Sequence, residues 1–141
     1  MSAIVTRIEI ARPPDEVFAY VADPTRFPEW QSDVVSVRLH DDGRFTTVRR
    51  VGGADRAMTQ EVTTREAPHR WSVRGVDGPI RPNVDLTVEP LAGGAGSALT
   101  FAFDYDGHAM GNALLPLVRR VTAKRAPLSV RRLKELLEAL P

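Results

Sequence analysis

The sequence predicts an α+β fold, with a seven-stranded antiparallel sheet packed against one long C-terminal helix. Runs of alternating apolar and polar residues are separated by short turns that contain Gly, Asp or Pro, which is typical of strands joined by hairpins. Each run is apolar on one side only, so one face of the sheet must be covered. Only the last segment has the composition of a long helix, so that helix is predicted to cover it. A chain of 141 residues fits a single domain, residues 1–141.

The first strand is predicted in "AIVTRIEIA", where apolar and polar side chains alternate. The segment that follows, "RPPDEVFAYVAD", is typical of a short helix. Pro14 suits the first helical turn, and the two acidic residues after it favour the positive end of the helix dipole. Asp23-Pro24 is predicted to end this helix, because a residue before proline resists helical geometry. The apolar face of the strand carries Ile4, Thr6, Ile8 and Ile10.

A second short helix is predicted in "TRFPEW". Pro28 keeps it short, because a proline inside a helix removes a backbone hydrogen bond and crowds the preceding turn. Phe27 and Trp30 are large aromatic side chains in this small element, and we expect them to anchor it against an open end of the sheet.

Six further strands are predicted to form an antiparallel meander, because the connections between them are short. In the last of these strands one face is aromatic and apolar, and the opposite face carries Asp104 and Asp106. The aromatic face holds Leu99, Phe101, Phe103 and Tyr105. The six runs are "DVVSVRLH", "RFTTVRRV", "RAMTQEVTTRE", "RWSVRGV", "NVDLTVEP" and "SALTFAFDYD".

The C-terminal helix is predicted to begin near Ala113 and to be kinked. Its apolar residues fall into two stripes that are out of phase by about one residue, at roughly 100° per residue. Pro127 lies at the junction, so a kink or short break is predicted within residues 123–127. The first stripe contains Leu114, Leu117, Val118, Val121 and Leu128; the second contains Val130, Leu133, Leu136, Leu137 and Leu140.

Composition and charge exclude several classes of protein. Without cysteine there is no disulfide framework, thiolate metal site or cysteine nucleophile. Early charges interrupt any signal-peptide core, and no apolar run approaches the roughly 18 residues of a membrane span, so we expect a cytoplasmic protein with no integral membrane association. Residues 1–107 carry 12 arginines against 16 acidic residues, whereas residues 108–141 carry 7 basic and 2 acidic residues. The basic helix face is interpreted as solvated, with an anionic partner as the alternative.

The sequence contains no recognised catalytic or phosphate-binding motif. No G-x-S-x-G, P-loop or dinucleotide-binding glycine pattern is present, and "GGAGSAL" is interpreted as a hairpin turn. Asp104, Asp106 and His108 alternate and could ligate a metal if they shared a pocket. Both aspartates lie opposite the aromatic face, however, so they are predicted to face water. We expect no metal and no other cofactor.

The order and motifs of these elements resemble the START-like superfamily, which includes birch-pollen-allergen-like proteins, START domains and polyketide cyclase/dehydrase-like proteins. The resemblance covers nearly the whole chain and rests on three stretches. It implies a helix-grip fold, in which a strongly curved sheet wraps around the C-terminal helix and leaves an often hydrophobic cavity between them. The short second helix would then close one end of that cavity, with Trp30 as a lid. The stretches are "IEIARPPDEVFAYVADPTRFPEW", "EVTTREAPHRWSVRGVDGPIRP" and "LTVEPLAGGAGSALTFAFDYD".

The side chains predicted to face this cavity are the candidate ligand-binding residues. Gln60 stands on an apolar wall, where it is interpreted as a core amide bonded to backbone or water, or as a contact that orients a ligand. The hydroxyl of Tyr105 could meet water, a helix carbonyl or a ligand. Arg49 and Arg50 lie on opposite faces, and the pattern does not decide which points inward. The candidates are Thr6, Ile8, Trp30, Met58, Gln60, Trp71, Phe101, Phe103, Tyr105, Leu114, Val118 and Val121.

The leading functional hypothesis is binding or transport of a hydrophobic or amphipathic small molecule, by a monomer or homodimer. The alternative is an enzyme resembling polyketide aromatase/cyclases, for which Tyr105 and Arg125 are the weak catalytic candidates. Arg125 could bind a carboxylate or polarise a ketone, or its long side chain could extend to water. A third hypothesis is a co-chaperone-like interaction module with the basic helix as its docking face. Nucleic acid is not an expected partner, because the charge excess is small.

Overall fold

The computed structural model describes residues 3–108 and 110–141. It contains seven strands and three α-helices within these ranges, in the predicted order. The strands are β1 (Ile4–Ile10), β2 (Val34–Leu39), β3 (Arg44–Val51), β4 (Ala54–Glu66), β5 (Arg70–Gly75), β6 (Ile80–Leu91) and β7 (Gly96–Gly107). The helices are α1 (Pro14–Val21), α2 (Phe27–Trp30) and α3 (Gly111–Glu138).

The seven strands form one curved antiparallel sheet in the order β1-β7-β6-β5-β4-β3-β2. Strands β2 to β7 are therefore the predicted meander, and β1 joins it through β7, with Ile4 opposite Phe103 and Ile10 opposite Ser97. The helix α3 lies across one face of this sheet and contacts β1, β6 and β7. The predicted helix-grip fold is confirmed.

The two short helices after β1 are also confirmed, and the chain between them is held by an aspartate. Pro14 occupies the first turn of α1, which ends at Val21. The Asp23 carboxylate then accepts hydrogen bonds from the backbone N–H of Thr25 (3.0 Å) and from its hydroxyl (2.6 Å). These bonds stabilise a 3₁₀ turn over Pro24–Arg26 that leads directly into α2.

Helix α3 is continuous, so the break predicted within residues 123–127 is wrong, while a kink at Pro127 stays a prediction. Leu117 and Leu128, which were assigned to the inner stripe, are 43% and 64% exposed. The true inner face includes the buried Ala126, a small residue that carries little hydrophobic signal. With that position included the inner face keeps one helical phase, through Val118, Thr122, Ala126, Val130, Leu133 and Leu137.

The C-terminal end of α3 is held by three charged side chains, which we call the clasp: Arg12, Lys134 and Glu138. Arg12 donates to the carbonyl of Leu137 in the last helical turn (2.9 Å) and to that of Leu140 just beyond the helix. Glu138 accepts from Lys134 (2.7 Å) and from the backbone N–H of Ala11 (2.8 Å), and these bonds lower the pKa of its carboxyl. The clasp thus ties the end of α3 to the chain segment after β1.

The N-terminal end of α3 begins against the loop between β5 and β6. The N–H of Gly111 donates to the His108 carbonyl (2.9 Å), and the N–H of His108 donates to the Pro79 carbonyl (2.8 Å). A Cβ atom at Gly111 would lie 1.8 Å from the Pro79 carbonyl oxygen. Only glycine therefore allows the helix to start this close to the loop.

Candidate ligand cavity

A cavity of about 100 Å³ lies between the sheet and the middle of α3. Its walls come from strands β3 to β7, from α2 and from the segment of α3 between residues 118 and 130. Strand β1 contributes no side chain to it. Beyond the cavity, Leu133 and Leu137 at the end of α3 pack with Ile10 in the solid core. Along the cavity, α3 presents valines together with the small or polar side chains of Thr122, Ala126 and Ser129.

One part of the cavity wall is aromatic. The rings of Phe45 and Trp71 stack with centroids 6.2 Å apart, and Phe27 meets both rings edge-on. The ring of Trp30 lies 5.6 Å from that of Phe101. These contacts join α2 to three strands, β3, β5 and β7, because each aromatic side chain comes from the inner face of its element. The result is a rigid apolar wall suited to a flat ring.

Trp30 brings an unpaired hydrogen-bond donor to this wall. Its side chain is 4% exposed and its ring packs between Phe27 and Phe101. The indole Nε1 is buried and has no hydrogen-bond partner among residues 3–108 and 110–141. Buried N–H groups are nearly always paired, so this donor is an exception among the polar atoms of the wall.

Gln60 lies on the cavity wall in a side-chain pair. It is 4% exposed, and its Nε2 donates to the Thr47 hydroxyl at 3.3 Å. Thr47 is fully buried on the neighbouring strand β3. The amide is thus a buried group with a hydrogen-bond partner. That partner is a side chain, whereas backbone or water was expected from the sequence.

The hydroxyls of Tyr105 and Thr122 form a second pair, 2.7 Å apart, between β7 and α3. Burial raises the pKa of Tyr105, and the hydrogen bond from Thr122 offsets part of that rise. The phenol is therefore neutral at physiological pH. It can donate or accept a hydrogen bond but does not supply a phenolate base.

Charged groups gather where the cavity meets solvent, in a region we call the mouth: Asp33, Arg49 and Arg125. The Arg49 guanidinium lies 3.1 Å from the Asp33 carboxylate, with the two side chains 22% and 15% exposed. Arg125 is exposed, lines the cavity and donates to the Ser32 hydroxyl at 3.2 Å. The pair Asp33–Arg49 is neutral as a whole, whereas Arg125 keeps its net positive charge.

The predicted acidic face lies outside the cavity. Asp104 pairs with Arg119 at 2.6 Å, and Asp106 accepts from Asn83 at 2.9 Å. The backbone N–H of Tyr105 and then Arg119 lower the pKa of Asp104. No group of three metal-binding side chains occurs within residues 3–108 and 110–141.

Most of the predicted site residues meet at the cavity, but three do not. Thr6 and Ile8 lie on β1, the edge strand outside the cavity wall, and Ile8 packs against the solid core instead. Leu114 lies in the first turns of α3, before the cavity-lining segment. Those that line it are Trp30, Met58, Gln60, Trp71, Phe101, Phe103, Tyr105, Val118, Val121 and the catalytic candidate Arg125.

Sequence reasoning missed several residues of the lining. On α3 these are Thr122, Ala126 and Ser129, which are too small or too polar to stand out in an apolar stripe. Arg49 was left undecided against Arg50. The strand alternation that places Phe45 and Thr47 inward also places Arg49 inward, and this signal could have settled the choice.

No helix among the described residues is long and apolar enough to cross a membrane.

Comparisons with known proteins agree with this architecture. Three solved structures cover nearly the whole chain at low sequence identity, and each matches in fold. The Zhui aromatase/cyclase of Streptomyces is 12% identical (TM-score 0.78, 96% of this chain and 93% of that chain). A Mycobacterium smegmatis START superfamily protein is 14% identical (0.73, 98% and 95%), and a Thermus thermophilus protein is 16% identical (0.79, 97% and 97%).

At the level of sequence, no curated protein matches the chain. One family profile does, and it spans residues 1–138. Its description is "Polyketide cyclase / dehydrase and lipid transport". The chain therefore belongs to the polyketide cyclase/dehydrase and lipid transport family.

Proposed function

We propose that the protein binds a hydrophobic or amphipathic small molecule in the cavity between the sheet and α3. The observation that carries the proposal is the cavity lining itself. It joins an aromatic wall to an unpaired buried donor, Trp30 Nε1, and it places charged groups only at the mouth. Apolar walls with a few fixed polar groups are the usual chemistry of small-molecule sites.

The lining favours a molecule with a flat apolar body. Such a body would lie against the rings of Phe45, Trp71 and Phe101, since aromatic groups pack well against one another. An acceptor on the ligand would receive the hydrogen bond from Trp30 Nε1, and a polar or anionic end would lie near Arg125 at the mouth. A cavity of about 100 Å³ is smaller than the roughly 300–1,000 Å³ typical of pockets for drug-sized ligands. The ligand is therefore small, or α2 and α3 separate to admit it.

Binding is favoured over catalysis because three of the polar side chains in the lining already have partners. Gln60 is bonded to Thr47, Tyr105 to Thr122, and Arg49 to Asp33. None of the described histidines lines the cavity, and the neutral Tyr105 phenol is a weak base. A group that must take a proton from a substrate works best with a pKa near the operating pH.

The proposal is tested by extracting the purified protein with organic solvent and identifying the extract by mass spectrometry. The variant Ala126→Leu, which adds bulk to the cavity wall, is prepared in the same way. We expect a compound present in stoichiometric amount in the wild type and depleted in Ala126→Leu. Equal amounts in both proteins would contradict the proposal, because the compound would then lie elsewhere.

A second candidate is a cyclase-type enzyme, which the pairing of Tyr105 with Thr122 specifically favours. A neutral phenol that faces the cavity could donate a hydrogen bond to a ketone oxygen during enolisation. With a synthetic poly-ketone as substrate, this role predicts a loss of turnover of about 10²-fold or more in Tyr105→Phe. Turnover that equals that of the wild type would exclude this role for Tyr105.

A further inference from the structure

The outward face of α3 carries a row of exposed residues that nothing in the described chain covers. We call it the outer stripe: Leu117, Arg120, Lys124, Leu128 and Arg131. Successive members are three or four residues apart, so they are neighbours along one line of the helix surface. All five are exposed, and the two leucines are 43% and 64% exposed. The row is about 21 Å long at 1.5 Å per residue.

All the charged residues of the outer stripe are basic. Between residues 111 and 134 the helix contains no acidic residue, and the first carboxylate is that of Glu135. Arg120, Lys124 and Arg131 have no carboxylate within 4.0 Å among the described residues. Residues 1–107, in contrast, carry more acidic than basic side chains. The basic excess of the chain thus lies in residues 108–141, and the outer stripe carries three of these cations.

The outer stripe also borders the cavity mouth. Arg125 follows Lys124 in the chain, lines the cavity and is exposed, so the mouth opens beside the stripe. On the inner side of the same turns, Thr122 and Ala126 belong to the cavity wall. Whatever contacts the outer stripe therefore lies next to the entrance of the cavity.

We propose that the outer stripe docks the protein on the surface of an anionic lipid bilayer. Its two exposed leucines are interspersed with three cations, so the leucines can enter the interface while Arg120, Lys124 and Arg131 meet anionic headgroups. The docking does not depend on what the cavity holds. Its consequence does rest on the proposed function: a ligand that is poorly soluble in water could pass between the bilayer and the mouth.

An acidic protein surface is the competing occupant, and the geometry favours the bilayer. The outer stripe lies on a single helix, so its residues form a convex row along the helix surface. Protein interfaces of useful affinity need a well-packed buried centre. Binding to a bilayer surface needs only basic and apolar side chains that lie along one side of a helix.

The test measures sedimentation of the full chain with vesicles. One set consists of phosphatidylcholine alone, and the other of equal parts phosphatidylcholine and phosphatidylglycerol. We expect the wild type to sediment with the anionic vesicles at low salt and to be released as salt is raised, because cation–headgroup attraction is screened. Binding to phosphatidylcholine alone should be weaker by about tenfold or more.

Matched variants separate the stripe from general surface effects. Lys124→Glu should weaken binding to anionic vesicles by about tenfold or more, as should the double variant Leu117→Ser/Leu128→Ser. The controls lie on the edge strand β2, which also has exposed apolar and basic residues. Arg38→Glu and Val35→Ser/Leu39→Ser should bind within about twofold of the wild type.

Three results would overturn the proposal. A wild type that stays in the supernatant with both vesicle types would point to a protein partner for the stripe. Equal losses of vesicle binding in stripe and control variants would show non-specific adsorption. Unchanged binding in the leucine double variant would show that the leucines make no contact with the bilayer. Binding of the fluorescent probe anilinonaphthalenesulfonate is measured in parallel without vesicles. Probe binding that Ala126→Leu weakens and the stripe variants leave unchanged reports on the cavity, so a failure of docking is distinguished from a failure of the proposed function.

Discussion

The hydroxyl oxygens of Tyr105 and Thr122 lie 2.7 Å apart and join strand β7 to helix α3 across the edge of the cavity. Elsewhere α3 meets the sheet through apolar contacts, through the clasp at its end and through the ion pair of Arg119 with Asp104. The bond between Tyr105 and Thr122 is the polar link that lies on the cavity wall, so it helps to set the spacing of sheet and helix there. Because both hydroxyls also line the cavity, it is the contact that a polar ligand would compete with.

Replacing Tyr105 with Phe should lower the free energy of unfolding by about 1 kcal/mol, because the bond is lost and the Thr122 hydroxyl remains without its partner. Urea unfolding measures this change. The double variant Tyr105→Phe/Thr122→Val should lose no more than the single variant, since both polar groups are then removed. Additive losses would show that the two hydroxyls act independently.

Both tyrosines of the chain should ionise at a higher pH in the folded state than in the unfolded state. Burial and the bond to Glu29 raise the pKa of Tyr20 from 10.0 to about 12, and burial raises the pKa of Tyr105. A raised pKa contributes stability that is complete below pH 10.0 and lost as the pH rises through the folded-state value. Tyrosinate absorbance should therefore appear above pH 10.0, together with a fall in stability. Ionisation of both groups at 10.0 in the folded protein would contradict this.

The buried pair of Gln60 and Thr47 should behave as a coupled unit. Gln60→Leu leaves the Thr47 hydroxyl buried and unpaired, which should cost about 1–3 kcal/mol. Adding Thr47→Val should recover part of that loss, because both polar groups are then replaced by apolar ones. Thermal unfolding of the four proteins in the cycle measures the coupling. A coupling of zero would mean that the 3.3 Å contact contributes nothing.

The variant Gly111→Ala tests whether helix propensity or steric crowding decides the change in stability. Helix propensity alone predicts that Gly111→Ala is stabilising by up to about 1 kcal/mol. The Pro79 carbonyl oxygen lies 1.8 Å from the position of the new Cβ, so we expect a loss of about 1–3 kcal/mol as helix and loop move apart. Chemical denaturation measures it. A stabilised variant would show that α3 does not begin against this loop.

Strand alternation and turn residues were sufficient to predict the sheet, because each strand buries one face. The faces of β4 and β7 were predicted correctly for Gln60 and Tyr105. The inner face of α3 was harder to predict, because large apolar side chains do not mark every position that faces a cavity. Where α3 lines empty space its inner residues are small, as at Ala126, while Leu128 points outward to solvent. An apolar stripe alone therefore gave the wrong phase for part of α3.

The pairings of the site could not be predicted from the sequence at all. The contacts of Arg49 with Asp33 and of Arg125 with Ser32 bring together side chains that are 16 and 93 residues apart. Both contacts depend on how α2 and the residues after it pack against the sheet. That arrangement is fixed by the aromatic contacts of Phe27 and Trp30, which the sequence indicated only as anchors.

The central claim is that the cavity beneath α3 holds the ligand, and one calorimetric comparison tests it most directly. Ala126 and Ala123 lie one turn apart on α3, the first on the cavity wall and the second exposed. Titration with anilinonaphthalenesulfonate should give an affinity at least about tenfold weaker for Ala126→Leu than for the wild type, because the added side chain occupies the cavity. Ala123→Leu should bind as the wild type does. Equal affinity in all three proteins, or no binding to the wild type, would contradict the account.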